Sequence, residues 1–242
     1  MNTHDRPAAP GLLQREPGSD EHLHALWTNA GLVETDRSLP EMRTIEAVHQ
    51  ATLAESAPMA LFGFATGTFL VALLLSGLMP AATGMMAVVP ALLFFAGVGQ
   101  FIGGLFALSR GSTFGATAFC SFGMGNVIVA SYAWMQQAGV IPTGTESTTL
   151  LGMGLFCFAY IALSLAIAAL RTNVAYFLTV LALVPGYALV AATDVGAAPV
   201  VGQIGGWFLI AAALLAFYSG GAVVINSQWC REVFPLGAIG RH

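Results

Sequence analysis

Residues 59–79 read MALFGFATGTFLVALLLSGLM, an apolar run without a single charged side chain. Five further runs of the same kind follow it, at residues 85–108, 113–135, 149–170, 174–192 and 204–225. About 20 apolar residues in a helix span the hydrocarbon core of a bilayer, where a helix satisfies its own backbone groups. Because the runs are continuous rather than alternating, they predict helices and not barrel strands. The predicted fold class is therefore an all-α membrane protein, a bundle of six transmembrane helices.

The composition excludes several classes of protein. Charged residues make up 8% of the chain and hydrophobic residues 57%, whereas soluble domains carry about 25% charged residues. The chain has no basic patch of the kind that nucleic-acid binding requires. It also has no cluster of His or Cys that would hold a metal or haem, and no paired nucleophile and base. We therefore expect no cofactor, no metal, no nucleic-acid partner and no enzymatic activity.

The chain divides into a polar tail, a membrane domain and a short second tail. Residues 1–57 are polar and acidic, and we expect them to be mostly disordered. Within them, residues 40–55 carry a weak apolar stripe that fits either a short amphipathic helix or a plain linker. Residues 58–226 form the predicted membrane domain, and residues 227–242 form the C-terminal tail.

The few charges near the membrane domain predict its orientation. The only charged residues between the first and last runs are Arg110, Glu146, Arg171 and Asp194, and each falls in a break between predicted spans. With six spans, the two arginines and those of the C-terminal tail share a side with the N-terminus. The two acids lie on the other side. The positive-inside rule then places both termini in the cytoplasm, as expected for a multi-pass protein of a bacterial-type inner membrane.

Polar side chains are concentrated in and around the third run. They are Ser112, Thr113, Thr117, Ser121 and Asn126, and Gln100 is the one amide in the second run. Thr113, Thr117 and Ser121 recur every four residues, which places them on one helix face. Such a stripe could hydrate a pore or bind a carboxylate. Interhelical hydrogen bonding, or capping of a helix by Ser112, explains the same residues equally well.

Prolines and glycines inside the runs predict local departures from straight helices. Pro90 and Pro185 should kink their spans. Gly99 and Gly103 form a GxxxG pair, which permits close helix packing. That packing could lie within one bundle, along a narrow pore or between subunits.

Two separated stretches, at residues 57–66 and 110–123, resemble motifs of a known family, the acetate uptake transporters, also called succinate–acetate permeases. APMALFGFAT at residues 57–66 is similar to the family motif Asn-Pro-Ala-Pro-Leu-Gly-Leu, which is followed shortly by Gly-Phe. In this motif Ala57, Pro58 and Gly63 hold the matching positions. RGSTFGATAFCSFG at residues 110–123 is similar to the family's basic-Gly-Asn-Thr-Phe run, which continues as Thr-Ala-Phe and Ser-Tyr-Gly.

The resemblance implies a homohexamer in which each protomer has its own pathway for acetate and related small monocarboxylates, with succinate as a further substrate. It implies a constriction formed by Phe64, Phe122 and Leu178. Phe122 stands where the family has Tyr, so the constriction lacks one hydroxyl and is more apolar. Two alternatives stay open: a channel for another small solute such as ammonia, and a membrane sensor or scaffold that transports nothing and contacts a partner through residues 1–57.

Overall fold

The computed structural model describes residues 54–142 and 144–239, of which residues 81–83 are described by their backbone alone. The described residues are almost entirely helical. The elements are α1 (Ala57–Leu75), α2 (Ala81–Pro90), a π-helical segment (Ala91–Gly99), α3 (Gln100–Ser109), α4 (Thr113–Gln137), α5 (Thr145–Ala169), α6 (Val174–Asp194) and α7 (Pro199–Trp229). The expectations for the N-terminal tail, including the helix at residues 40–55, lie almost wholly outside the described residues.

Six helices within the described residues are long and apolar enough to cross a membrane, and α2, the π-helical segment and α3 together form the second. The predicted six-helix fold class is thus confirmed. Individual bounds differ by a few residues. Helix α1 ends at Leu75, four residues early, and the turn that follows contains Gly77 with φ of +80°. Helix α7 starts at Pro199, five residues before the start of the predicted run. Proline suits the first turn of a helix because it has no backbone N–H that would be left unpaired there.

The second span changes its hydrogen-bond pattern at Pro90. Proline has no N–H to donate to the preceding turn, and the wider π-helical turns begin at the next residue. At Pro185, in contrast, α6 continues as one helix. The π-helical segment packs closely on α1, since a Cβ added to Gly63 would lie 2.5 Å from the Phe95 carbonyl oxygen. The local change at Pro90 therefore shapes the contact between the first two spans.

Small residues bring the helices together elsewhere in the bundle. A Cβ on Gly103 would meet the Ala60 Cβ at 2.8 Å, so this member of the GxxxG pair packs against α1. A Cβ on Gly205 would lie 2.9 Å from the Gly186 carbonyl oxygen, which shows how closely α6 and α7 approach. The Gly103 contact supports the interpretation of close packing within one bundle.

The C-terminal segment folds back onto the start of α6. Asn226 Oδ1 accepts hydrogen bonds from the backbone N–H groups of Val233 and Phe234, at 2.8 and 2.9 Å. The segment then supplies the Gly237 carbonyl oxygen to the Val174 N–H at 2.8 Å. An N–H at the beginning of α6 that has no partner in its own helix is thereby satisfied. These bonds fix the start of α6, which carries several residues of the site described next.

Candidate solute pathway

Two cavities lie inside the bundle at different depths. The smaller, of about 30 Å³, is lined by residues near the starts of α4 and α6, including Phe114 and Tyr176. The larger, of about 420 Å³, is lined by residues that extend to the ends of the same helices, including Gln136 and Asp194. The cavities therefore lie towards opposite ends of the bundle.

Four aromatic rings lie between the cavities, and we call them the aromatic constriction: Phe64, Phe122, Phe158 and Tyr187. Phe64 and Phe122 line the smaller cavity, with ring centroids 6.0 Å apart. Phe158 and Tyr187 line the larger cavity, and their centroids lie 6.3 and 5.9 Å from that of Phe122. Phe64 and Phe122 are only 3% and 4% exposed. The two predicted phenylalanines are thus brought together.

The predicted third member, Leu178, does not join them. Its side chain is 39% exposed and it lines neither cavity. Leu183 instead is 1% exposed and lines the smaller cavity with Phe64 and Phe122. Five residues along an α-helix correspond to a rotation of about 140°, so the two leucines point to different sides of α6. The family resemblance implies Leu178, and the composition of the run does not distinguish the two leucines.

Two of the predicted pathway residues meet at the border between the cavities. Asn126 Nδ2 donates hydrogen bonds to Gln100 Oε1 and to the Ala96 carbonyl oxygen, both at 3.2 Å. Gln100, 1% exposed, lines the smaller cavity, whereas Asn126 lines the larger one. The pair therefore links the second and third spans beside the aromatic constriction.

The hydroxyl stripe lies elsewhere. Ser112 caps α4, accepting a hydrogen bond from the Gly115 N–H at 3.1 Å. Thr113 and Thr117 are exposed, Ser121 is half-buried, and none of them lines either cavity. This face of α4 points away from the cavities, so the structure does not bring the stripe into the site.

Polar residues of α6 that no sequence pattern singled out line the cavities together with Leu183. Tyr176, Thr179 and Leu183 line the smaller cavity and Tyr187 the larger one. Their spacing of three, four and four residues places them on one helix face. This periodicity is the sequence pattern that could have identified the face of α6 that lines the cavities. It is hard to recognise because the other faces of α6 are apolar as well.

The motif at the start of the first span positions the site without lining it. Ala57 is the first residue of α1, and its N–H donates to Glu55 Oε1 at 3.2 Å. Pro58 lies in the first turn, and Gly63 lies against the π-helical segment. None of the three lines a cavity, but Phe64 beside Gly63 does. The motif therefore sets where α1 begins and how closely it packs.

The prediction that no ionisable side chain lies within a span needs correction. Helix α6 extends two residues past its predicted end and includes Asp194, which lines the larger cavity. Helix α5 begins four residues early, so that Glu146 lies in its first turn. Among the described residues there is no group of three or more His, Cys, Asp or Glu side chains that could hold a metal ion.

Six membrane-spanning helices around internal cavities define a multi-pass integral membrane protein. Residues 39–237 match the GPR1/FUN34/yaaH family, and the chain belongs to that family. It is 28% identical over 190 residues to the succinate-acetate/proton symporter SatP of Escherichia coli strain K12, a match covering 76% of this chain and 96% of SatP. The predicted resemblance to acetate uptake transporters is thereby confirmed.

A fungal relative and a solved structure agree with this assignment. Acetate permease A of Emericella nidulans is 28% identical over 205 residues, covering 79% of this chain and 68% of the permease. The solved structure of the bacterial acetate channel SatP matches with a TM-score of 0.72 and 25% identity, covering 77% of this chain and all of that chain. These relatives are transporters and channels, and the channel has the same fold.

Proposed function

We propose that this protein carries acetate and related small monocarboxylates across the membrane, with the dicarboxylate succinate as a further substrate. The route leads through the two cavities and passes the aromatic constriction between them. The observation that carries the proposal is the contact between the buried rings of Phe64 and Phe122, at 6.0 Å, in a bundle that shares the fold of an acetate channel.

The chemistry of the route favours the neutral form of the acid. An apolar constriction excludes water, and a bare carboxylate loses its hydration there without compensation. The sequence contains no lysine, and no arginine is among the described residues that line either cavity. The route thus offers no cation to stabilise an anion. A proton that travels on the substrate removes the charge and needs no relay inside the membrane.

Gln100 lines the smaller cavity together with Tyr176 and Thr179, and it is the polar group there that we assign to the acid. Its Oε1 is occupied by Asn126, and among the described residues its Nε2 has no hydrogen-bond acceptor. An amide N–H held in this way can donate to a carboxylic acid oxygen. Leu183, rather than Leu178, takes the aliphatic position beside Phe64 and Phe122.

We further infer that both termini lie in the cytoplasm of a bacterial-type cell, in its inner membrane. Arg110 and Arg171 lie in connections on the same side as the N-terminus, which supports this orientation. The smaller cavity then faces the cytoplasm. Assembly as a homohexamer follows from the resemblance. The strongly exposed apolar residues of α5, such as Leu150 and Ile167, offer surface for lipid and neighbouring subunits.

Uptake of labelled acetate into proteoliposomes tests the function. Purified native protein should take up acetate faster than empty liposomes, and unlabelled short carboxylic acids should compete with the label. Absence of uptake by folded protein would overturn the proposal.

A small neutral solute such as ammonia is the competing substrate. The position of Asp194 favours ammonia over acetate, because a carboxylate that lines the larger cavity repels anions. The same vesicles distinguish the two substrates. Uptake of labelled acetate that added ammonium leaves unchanged supports the carboxylic acid, whereas ammonia flux without acetate uptake supports the alternative.

A further inference from the structure

The aromatic constriction contains one hydroxyl group. Phe64, Phe122 and Phe158 present only carbon, and Tyr187 is the fourth ring. The Tyr187 ring stacks on Phe122 with an interplanar angle of 21° and a centroid distance of 5.9 Å. Because Phe122 lines the smaller cavity and Tyr187 the larger, this stack marks the boundary between them.

The hydroxyl of Tyr187 has no hydrogen-bond partner among the described residues. Two other tyrosines of the described bundle do have partners: the Tyr132 hydroxyl accepts from Gln136 Nε2 at 2.8 Å, and the Tyr218 hydroxyl donates to the Pro235 carbonyl oxygen at 2.6 Å. Tyr160 is 71% exposed, and Tyr176, whose hydroxyl also has no partner among the described residues, lines the smaller cavity rather than the larger one. A tyrosine hydroxyl inside a protein ordinarily finds a partner. Since Tyr187 lines the larger cavity, an occupant of that cavity is the available partner.

The position of the Tyr187 ring is fixed from several sides. Phe122 and Phe158 hold the ring, with centroids at 5.9 and 6.1 Å. The neighbouring Gly186 lies tightly against Leu209 of α7, whose Cδ2 would be 2.6 Å from an added Cβ. A donor held in place in this way loses little freedom when it binds a ligand.

We propose that Tyr187 is a specificity-determining residue of the route. Its hydroxyl donates a hydrogen bond to an oxygen of the carboxylic acid on the larger-cavity side, at the point where the solute meets Phe122. Recognition there distinguishes an acid from an apolar solute of the same size. The inference rests on the proposed function and assigns its selectivity to a residue that no motif identified.

Acetate uptake by Tyr187→Phe tests the assignment in proteoliposomes of the full chain. Loss of one hydrogen bond should raise the half-saturating acetate concentration about threefold to tenfold, with a smaller effect on the maximal rate. Tyr160→Phe is the matched control, because Tyr160 is 71% exposed on α5 and should leave both parameters unchanged. Tyr187→Phe keeps the ring that stacks on Phe122, so the melting temperature of the variant in detergent should stay at the native value.

The possible outcomes separate the two proposals. Native uptake with an unchanged half-saturating concentration in Tyr187→Phe overturns the role of Tyr187 and leaves the proposed function intact. A rise that is accompanied by a lower melting temperature in Tyr187→Phe gives Tyr187 a packing role and also overturns the inference. Absence of native uptake overturns the proposed function, and the inference with it.

Discussion

Asn126 donates a hydrogen bond from its side-chain amide to the Gln100 side-chain oxygen over 3.2 Å, and each of the two residues lines a different cavity. The bond leaves the Gln100 N–H groups as donors beside Phe64 and Phe122. It also joins the second and third spans where they flank the aromatic constriction. One side-chain pair thus contributes both to the packing of the bundle and to the polarity of the route.

Removal of this bond should weaken the bundle. In Asn126→Ala, Gln100 Oε1 and the Ala96 carbonyl oxygen lose their donor, and interhelical hydrogen bonds in membranes average about 0.6 kcal/mol each. We expect the free energy of unfolding in detergent to fall by about 1 kcal/mol. Ser164→Ala is the control, since Ser164 bonds only to the Tyr160 carbonyl oxygen of its own helix. Equal free energies of unfolding for the two variants would contradict an interhelical role for Asn126.

Truncation of Phe64 should open the constriction. Phe64→Ala removes a ring that is 3% exposed and contacts Phe122, so water and anions gain a path. We expect faster acetate entry and weaker discrimination among short acids, measured by competition in proteoliposomes. Phe156→Ala, on the exposed face of α5, should leave competition unchanged. A Phe64→Ala protein that is folded and retains native discrimination would place the constriction elsewhere.

Leu178 and Leu183 of α6 give a direct test of helix orientation. Leu183→Ala removes a side chain that lines the smaller cavity, and it should alter the rate and selectivity of acetate uptake. Leu178→Ala removes an exposed side chain and should leave both unchanged. The two substitutions are chemically identical, so they differ only in position. The reverse pattern would restore Leu178 to the route and reject the placement of Leu183.

The contact at Gly63 should tolerate no methyl group. In Gly63→Ala the new Cβ would lie 2.5 Å from the Phe95 carbonyl oxygen. The Phe95 backbone cannot move away from this Cβ unless the π-helical segment separates from α1. Overpacking of this kind costs about 1–3 kcal/mol, so we expect a lower melting temperature in detergent. Gly154→Ala is the control, because nothing lies within 4 Å of its added Cβ. An unchanged melting temperature for Gly63→Ala would contradict the close approach.

The fold could be predicted from the sequence because bilayer thickness limits the length of an apolar run. The same rule does not predict where a helix begins or ends, because the ends of a span can carry polar or apolar residues. Helix α7 begins at Pro199 and ends at Trp229, although only residues 204–225 were predicted. Hydropathy does not detect the first turn that Pro199 opens, nor the last turn beyond the apolar run.

The site could be predicted where a motif contained a buried aromatic residue or where an apolar run contained an isolated amide, as at Gln100 and Asn126. Phe64 and Phe122 came from motifs and do meet. The choice between Leu178 and Leu183, and the role of Tyr187, depend on which face of α6 points inward. In a helix that is apolar on every side, composition does not reveal that face. The contacts of α6 with α5 and α7 decide it.

The central claim is that the acid passes the aromatic constriction in its neutral form, and the pH dependence of uptake tests it most directly. Initial rates of labelled-acetate uptake by the native protein are measured at about pH 6 and about pH 8, at the same total acetate concentration well below saturation. Above its pKa, the neutral fraction of a carboxylic acid falls about tenfold per pH unit. The account predicts uptake at least about tenfold faster at the lower pH, after subtraction of empty vesicles. Equal rates at the two pH values would show that the anion itself crosses, and would contradict the account.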